Sequence, residues 1–396
     1  GAAKGEILCR PRPQRTAIGV MRLTAALSLA LLVLLPLSDG AKSRPLKEFI
    51  TAAYLPDYRF SNVDWPGLGQ YLTDIVLFSL EPEADGTLKA QDRIPETLLD
   101  RARASRKVMG GFRLLVSVGG GGRSDAFKAI VSSAALRTRY ASSIVSYCRE
   151  KELDGIDIDW EYPFDKDESV GSGFRQLLKQ IKDKDKSLFL SVAVHVNAWH
   201  WLPSNLFKTV DRVHLMLYDV CGPQPPCRHS TLEDANKTLT GAAAHVPPHK
   251  TVLGIPAYGR GVANPQEVKT YSDIIKQFGE LPKDVDEVGG YYFNGPHTVE
   301  KKVRLAHEMG LLGVFFWEAG QDLPLWHRDS LVRAGGTEGG SADRERKTGV
   351  KQGSHAQRHD GADPEALAEA VQKMKNFGVD TDTASGGVKE ARKTII

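Results

Sequence analysis

The sequence predicts an α/β protein that folds as a single (β/α)8 TIM barrel, and three observations carry this prediction. Eight short apolar runs, rich in Val, Ile, Leu and aromatic residues and bounded by turn residues, have the pattern of buried strands. Helical patterns separate several of these runs, which indicates parallel βα units. The runs lie within residues 49–333, and a barrel of this kind takes about 250 residues.

The predicted strands are FITAAYL (49–55), DIVLFSL (74–80), RLLVSVGG (113–120), GIDIDW (155–160), LFLSVAVHV (188–196), RVHLMLYDV (212–220), TVLGIPAY (251–258) and LLGVFFWEA (311–319). The predicted helices cover 134–151, 168–182, 231–244 and 298–309. An open doubly wound sheet is the alternative fold, but it requires a phosphate-binding fingerprint after the first strand. No such fingerprint follows Tyr54, so the closed barrel is favoured.

Residues 1–40 are interpreted as an upstream segment and a signal peptide that is cleaved from the mature protein. The apolar run LTAALSLALLVLLPL (23–37) follows Arg22 and precedes small residues that end at Gly40. The run is shorter than the roughly 20 residues of a membrane span. We therefore favour a secretory signal, with an uncleaved anchor as the alternative.

The predicted barrel domain covers residues 41–334, and the composition changes after it. Residues 335–396 are rich in Gly, Ser and charged residues and poor in apolar anchors. Such a composition cannot bury enough apolar surface to fold. We predict a low-complexity, disordered C-terminal tail, in which 364–377 has a weak helical pattern.

Charge and cysteine usage narrow the possible partners and compartments. The net charge is +3 with both signs mixed along the chain, and this distribution does not indicate a nucleic-acid-binding surface. Export predicts a secreted protein or one in a lysosome-like vesicular lumen, free of the membrane after cleavage, and we expect a monomer. An oxidising compartment favours a disulfide between Cys221 and Cys227, and Asn236 begins the glycosylation sequon Asn236-Lys237-Thr238.

The stretch LDGIDIDWEYP (153–163) sets Asp157, Asp159 and Glu161 two residues apart. Side chains alternate along a strand, so these acids share one side while Ile156 and Ile158 face the other. In a barrel the acids would point inward and rise toward the C-terminal mouth, where active sites of this fold lie. Glu161 comes last and is the acid presented to a substrate. Coupled carboxylates predict a shared proton and a raised pKa on Glu161, which suits a general acid.

This stretch resembles the DxxDxDxE signature of glycoside hydrolase family 18, the chitinases, which Asp154, Asp157, Asp159 and Glu161 match. The resemblance covers residues 49–333, and further motifs follow in the family's order. These are SVGGGG (117–122) for SxGG, LMLYDV (215–220) for MxYD, GIPAYGR (254–260), and GVFFWEAGQD (313–322). As an ordered set, these motifs make the resemblance specific.

The resemblance implies a retaining glycosidase that hydrolyses β-1,4-linked N-acetylglucosamine polymers or oligosaccharides with help from the substrate's 2-acetamido group. It implies that Glu161 protonates the glycosidic oxygen and later acts as a base toward water. Asp159 would hold the acetamido N–H, and Tyr218 would orient the acetamido oxygen. Asp157 would share a proton with Asp159, and Trp317 would stack beneath the reacting sugar.

The further candidates for substrate binding are motif positions and aromatic residues at strand ends: Asp219, Met216, Asp154, Tyr54, Phe78 and Trp199. The first three match the family's motifs. The aromatic side chains either contact sugar rings, which stack well on such platforms, or fill the barrel and its loops. The histidines lack a metal-ligand spacing, so neither a metal nor a cofactor is expected.

Three functions of this one site remain open. A chitinase-type enzyme is favoured because Glu161 is present, whereas an endo-β-N-acetylglucosaminidase on N-glycan cores would use the same residues. A non-catalytic chitin-binding lectin would use the same fold. Residues 261–311, between the seventh and eighth strands, are assigned mostly to the barrel's own helices. The extra α+β insertion domain of processive chitinases is therefore expected to be absent, which favours oligosaccharides or exposed chains as substrates.

Overall fold

The computed structural model describes residues 49–109, 111–161, 167–222 and 224–348, without the side chains of residues 201 and 342–348. The predicted signal peptide, and the predicted tail from residue 349 onward, lie outside the described residues. Within the described ranges, no helix is both long enough and apolar enough to cross a membrane.

The described strands are, in chain order, β1 (Ile50–Pro56), β2 (Asp74–Pro82), β3 (Leu88–Lys89), β4 (Arg113–Gly119), β5 (Gly155–Asp159), β6 (Phe189–His195), β7 (Arg212–Met216), β8 (Thr251–Pro256), β9 (Tyr258–Gly261), β10 (Val268–Thr270), β11 (Glu287–Val288), β12 (Tyr291–Tyr292) and β13 (Gly313–Trp317). The described α-helices are α1 (Trp65–Tyr71), α2 (Glu96–Met109), α3 (Phe127–Ser132), α4 (Ala134–Glu150), α5 (Glu168–Lys184), α6 (Leu232–Ala242), α7 (Tyr271–Phe278), α8 (Pro296–Glu308) and α9 (Leu331–Thr348).

Eight parallel strands of the described residues close into a barrel. The strands β1, β2, β4, β5, β6, β7, β8 and β13 pair in that order, and β13 pairs with β1 to complete the ring. This confirms the predicted (β/α)8 barrel and excludes the open doubly wound sheet. The sixth barrel strand ends at Met216 rather than Val220, because the chain turns at Asp219, whose φ is 56°.

An ion-paired cluster fills the N-terminal end of the barrel. Asp74 accepts hydrogen bonds from Arg113 Nε at 2.7 Å and from Arg212 Nη1 at 2.8 Å. Burial alone would raise the pKa of Asp74, but the two guanidinium groups outweigh it and lower this pKa to about 2. Asp74 and Arg212 have no exposed surface, so this end of the barrel is a structural plug.

The outward side of β5 packs under the helices, as the alternation of its residues predicts. Ile156 and Ile158 are fully buried in the core between strands and helices. The Trp160 ring stacks on Phe127 of α3 at 5.3 Å and meets Phe174 of α5 edge-on at 5.5 Å. The acids of the same stretch are therefore left to the barrel interior.

The predicted start of the disordered tail at residue 335 was wrong, because α9 continues to Thr348. Its glycines, which suggested disorder, allow close packing instead. A Cβ on Gly335 would lie 2.5 Å from the Phe316 ring, and a Cβ on Gly336 would lie 2.5 Å from the Tyr71 carbonyl oxygen. The low-complexity pattern here reflects helix packing against β13 and α1.

The segment between the seventh and eighth barrel strands holds more than the barrel's own helices, so that assignment was wrong. Strands β9 to β12 form a four-stranded antiparallel sheet in the order β10-β9-β12-β11, with α7 beside it. The small sheet belongs to the same compact unit as the barrel. It fixes the strand that carries Tyr258 and Arg260.

Candidate active site

The acid row rises along β5 toward the C-terminal mouth of the barrel. Asp157 and Asp159 lie on the strand, and Glu161 follows it by two residues. Asp157 has no exposed surface and Asp159 is 3% exposed, whereas Glu161 is half-buried. The row therefore runs from the closed interior to a partly open position, as the alternation in the sequence indicates.

Three hydroxyl groups donate hydrogen bonds to the Asp157 carboxyl group. The donors are Ser191 Oγ at 2.6 Å, Tyr54 Oη at 2.8 Å and Ser117 Oγ at 3.1 Å. Burial raises the pKa of Asp157, while these hydroxyl groups and the charge of Arg212 oppose the shift. The donors come from β6, β1 and β4, so Asp157 ties several barrel strands together.

Tyr54 lies inside the barrel, which answers the question of whether it lines a pocket. It is 1% exposed, and His214 Nδ1 lies 2.6 Å from its hydroxyl oxygen. Because the single Tyr54 hydroxyl proton goes to Asp157, His214 must donate from Nδ1. Burial lowers the pKa of His214 and keeps the ring neutral. Tyr54 is thus a support for Asp157 and not a pocket wall.

Asp159 is the member of the row that is best placed to hold a proton. Burial raises the pKa of Asp159 well above its usual range, and the charges of Glu161 and Asp157 add to the effect. Its buried Oδ1 has no hydrogen-bond partner among the described residues. Asp157 has three donors and Asp159 Oδ1 has none, so a proton shared by the two acids favours Asp159.

Glu161 lies against the glycine-rich segment that follows β4. Burial raises the pKa of Glu161, a hydrogen bond from the Gly121 backbone N–H opposes the shift, and the charge of Asp219 raises the pKa further. A Cβ on Gly121 would lie 3.3 Å from Glu161 Oε2. The Gly120 N–H also donates to the Asp159 carbonyl at 2.7 Å. The SVGGGG motif thus lets backbone approach the acids closely.

Tyr218 stands beside the acid row just after β7. Its ring meets Tyr258 edge-on at 6.3 Å and Phe315 at 6.2 Å. Burial raises the pKa of Tyr218 well above its usual range, and the charges of Tyr258 and Asp159 add to the shift. The hydroxyl therefore keeps its proton and can donate a hydrogen bond at the mouth of the barrel.

Asp219 is the mouth carboxylate that pairs with Arg260. Arg260 Nη2 donates to Asp219 Oδ2 at 2.6 Å, and Arg260 Nε donates to Oδ1. Tyr258 Oη donates to Oδ1 at 2.8 Å, and His229 Nδ1 lies 3.2 Å from it. Burial opposes ionisation, but Arg260 and His229 lower the pKa of Asp219 below its ordinary value. Asp219 is therefore a fixed negative charge near Glu161.

Trp317 ends β13 and rests on aromatic residues below it. Its ring centroid lies 4.8 Å from that of Phe78 and 5.6 Å from that of Tyr54. Trp317 is half-buried, whereas Phe78 is 6% exposed. Phe78 thus supports the Trp317 ring from beneath. Met216 is also 6% exposed and belongs to the same interior cluster.

One substrate-binding prediction was wrong, because Asp154 lies away from the mouth. Asp154 precedes β5, pairs with Arg106 at 2.5 Å and accepts the Leu114 N–H at 2.7 Å, at the opposite end of the strand from Glu161. Trp199 packs in the loop and helix layer, with its ring 5.9 Å from that of His245. Asp154 is therefore not positioned to contact a ligand beside Glu161, whereas the role of Trp199 stays a prediction.

The two covalent features expected of an exported chain have clear positions. Cys221 and Cys227 form the predicted disulfide, with their Cα atoms 5.3 Å apart. It closes the loop that leaves β7 and returns to α6. Asn236 lies on α6 and is exposed, so its side chain is accessible to modification.

Two residues that shape the site, Tyr258 and His214, had no predicted role. Tyr258 and Arg260 stand two residues apart on β9, and so do His214 and Arg212 on β7. The period-two alternation that found the acid row could have found both pairs. Among the described residues, no group of three His, Cys, Asp or Glu side chains could hold a metal ion.

Known proteins share both the sequence pattern and the barrel. The sequence profile of the glycosyl hydrolases family 18 matches residues 50–322, which is more than half of the chain. The chain belongs to glycosyl hydrolase family 18. Chitinase 1 of Aphanocladium album is 29% identical to this family 18 chain over 266 residues, which are 52% of this chain and 61% of that protein. The match thus spans less than two thirds of that chitinase.

Solved structures resemble the family 18 barrel at lower sequence identity. A chitinase from Cycas revoluta in complex with (GlcNAc)3 has a TM-score of 0.63 and 21% identity, covering 73% of this chain and 99% of that chain. The chitinase-like agglutinin of Robinia pseudoacacia has a TM-score of 0.60 and 21% identity, covering 72% and 98%. These likenesses show the fold, which hosts enzymes and an agglutinin alike.

Proposed function

We propose that this chain is a retaining glycosidase that hydrolyses β-1,4-linked N-acetylglucosamine polymers or oligosaccharides. The observation that carries the proposal is the acid row of Asp157, Asp159 and Glu161, which rises beside Tyr218 and Trp317. A lone acidic turn would leave its carboxylates in water. Here two are buried, and burial raises the pKa of each of the three.

In the first step Glu161 gives its proton to the glycosidic oxygen, and the bond between that oxygen and the anomeric carbon breaks. The substrate's 2-acetamido carbonyl oxygen forms a bond to the anomeric carbon from the opposite face. In the second step water attacks that carbon, the bond between the carbon and the acetamido oxygen breaks, and the water passes a proton to the Glu161 carboxylate. Two displacements at one carbon give retention of configuration.

The neighbours of Glu161 orient the acetamido group. The unpartnered Oδ1 of Asp159 accepts the acetamido N–H, and the Tyr218 hydroxyl donates to the acetamido oxygen. The three hydroxyl groups that donate to Asp157 favour its carboxylate form, so the proton between the two acids stays with Asp159. Holding the internal nucleophile in line replaces a bimolecular encounter.

The sugar itself rests on the half-buried face of Trp317. An aromatic ring offers a flat apolar surface that complements the C–H face of a sugar. The rings of Phe78 and Tyr54 fix its angle from below. The name of the A. album relative and the (GlcNAc)3 complex of the Cycas enzyme support this substrate class.

We also propose that the chain resides in an oxidising compartment, either outside the cell or in a vesicular lumen. The Cys221–Cys227 disulfide is the structural support, because such bonds persist where thiols are not kept reduced. A glycan on the exposed Asn236, detected as a loss of mass when a glycosidase removes it, would add independent support. A mass for the intact secreted chain, before and after that treatment, tests both features.

The test of function is product analysis by mass spectrometry on chitotetraose and a sialylated glycoprotein in parallel, with Glu161→Gln as the blank. Disaccharide from chitotetraose that is absent from the blank supports the chitinase-type proposal. Glycan released from the glycoprotein alone would replace the substrate with an N-glycan core. Binding of chitotetraose without any product from the wild-type chain would favour a lectin of the same fold.

A further inference from the structure

Lys302 is a buried cation that lies outside the acid row. It belongs to α8 and has no exposed surface. Its Nζ donates to Ser230 Oγ at 2.7 Å, to the Ser230 carbonyl at 2.8 Å and to Asn294 Oδ1 at 2.8 Å. An ammonium group has three N–H donors, and each of the three has an oxygen acceptor here.

Ser230 connects Lys302 to the segment that carries Tyr218 and Asp219. The Ser230 hydroxyl donates to the carbonyl of Leu217, the residue before Tyr218, at 2.6 Å. On the other side, the N–H of Val220 donates to the carbonyl of His229 at 3.1 Å. Residues 217–220 are therefore held at both ends by residues 229–230.

We propose that Lys302 is a positioning residue, which fixes residues 229–230 and, through them, the placement of Tyr218 and Asp219 at the barrel mouth. This inference rests on the proposed function for its kinetic consequences, but its structural part stands on the contacts alone. Without the ammonium donors, three buried oxygens lose a partner, and burying unpaired oxygens is unfavourable. The segment then shifts to find other donors.

The charged surroundings of Lys302 define the conditions of the test. Burial lowers the pKa of Lys302 to about 7, while the charges of Asp286 and Asp234 favour the ammonium form. His229 faces the same region, where burial lowers the pKa of His229 and the charges of Arg260 and Lys302 add to the shift. Measurements at pH 6 therefore keep Lys302 protonated.

The experiment compares Lys302→Met with the matched control Lys301→Met. Lys301 is the exposed neighbour on the same helix. Two quantities are measured at pH 6: amide-exchange protection of residues 217–220, and kcat and KM on chitotetraose. The Lys302→Met variant should lose protection in this segment by about tenfold, because the segment opens locally. Its kcat should fall by about 10- to 100-fold, more than KM changes, because small misplacements of orienting groups cost that much.

Ser230→Ala provides a second variant that keeps the lysine and removes the bond to Leu217. It should also lower amide protection and kcat, and the effects of Ser230→Ala and Lys302→Met should be less than additive in the double variant.

The proposal is contradicted if Lys302→Met keeps wild-type protection and wild-type kcat and only its Tm is lower, because the lysine would then have a structural role alone. If Lys302→Met does not fold, wild-type values in Ser230→Ala overturn the proposal. A wild-type chain without turnover would refute the proposed function, while protection would still decide the positioning role.

Discussion

At the scale of single residues, removal of the Tyr218 hydroxyl group tests its role in catalysis separately from the packing of its ring. Tyr218→Phe keeps the ring contacts with Tyr258 and Phe315 and removes one hydrogen-bond donor. We expect kcat on chitotetraose to fall by about 10²- to 10³-fold, as for the loss of one oriented donor in other active sites. Tm should hardly change. Steady-state kinetics and thermal unfolding check this, and a wild-type kcat would remove Tyr218 from the mechanism.

Asp219 gives a prediction about pH. Its charge raises the pKa of Glu161, and an acid catalyst must be protonated, so kcat falls as the pH rises through that pKa. Asp219→Asn removes the negative charge and leaves Arg260 unneutralised, and both changes lower the pKa of Glu161. The alkaline limb of the kcat–pH profile should therefore move to lower pH.

The control for this profile is Asp183→Asn, which removes an exposed carboxylate on α5 that pairs with Lys179. It should leave the limb in place. An alkaline limb that stays or moves to higher pH in Asp219→Asn would show that Glu161 is not the titrating acid. The comparison separates a local charge effect from a change in net charge.

The sequence predicted the acid row correctly because its alternating pattern is compatible with only one arrangement of the side chains. Acids that alternate with Ile156 and Ile158 on a strand could lie only on its inner side. Tyr54 could either line a pocket or fill the barrel, because both roles give a buried aromatic residue at a strand end. Asp154 matched a motif, yet its place before β5 puts it at the wrong end of the strand.

At the scale of elements, α9 shows why composition misled the prediction of the barrel's end. Glycine-rich, charged sequence usually lacks the apolar surface needed to fold. Here the glycines allow the helix backbone to approach Phe316 and Tyr71 closely. This close contact depends on partners distant in sequence, so no local pattern could reveal it. The small sheet was missed for a related reason, since strands such as β11 and β12 have two residues each.

Gly336→Ala tests the packing of α9. A new Cβ would lie 2.5 Å from the Tyr71 carbonyl oxygen, so α9 or α1 must move. We expect a loss of about 1–3 kcal/mol in the free energy of unfolding, as for other overpacked sites. Urea unfolding measures it. Thr337→Ala is the control at an exposed neighbouring position, and equal stability of the two variants would contradict the close packing of α9.

At the scale of the whole molecule, the plug at the N-terminal end of the barrel should govern acid stability. The pKa of Asp74 is lowered from 3.8 to about 2. Its contribution to stability is therefore present above about pH 4 and is lost as the pH falls toward 2, by roughly 2 kcal/mol. Between pH 5 and pH 2.5, the free energy of unfolding should fall by roughly 2 kcal/mol more in the wild type than in Asp74→Asn.

Urea unfolding at several pH values measures this difference. Asp74→Asn should also be less stable at pH 7 by about 3–5 kcal/mol, because it leaves Arg113 and Arg212 without their shared carboxylate. Asp100→Asn is the control, since Asp100 is exposed on α2. If the free energy of unfolding has the same pH dependence in the wild type and in Asp74→Asn, the plug does not govern acid stability.

The barrel as a whole was predictable because repeated strand and helix patterns specify parallel βα units. The mouth was only partly predictable. Motifs identified Glu161, Tyr218 and Trp317, but the network around Asp219 depends on β9, whose position the small sheet determines. Contacts between residues so far apart in the chain do not produce a recognisable local sequence pattern.

The most direct test of the central claim is the stereochemistry of chitotetraose hydrolysis, followed by NMR during the first turnovers. We expect the wild-type chain to release disaccharide first as the β-anomer, because the acetamido group and then water attack the same carbon. Glu161→Gln should bind the sugar and release almost none. An α-anomer as first product, or unchanged turnover in Glu161→Gln, would contradict substrate-assisted catalysis with Glu161 as its acid.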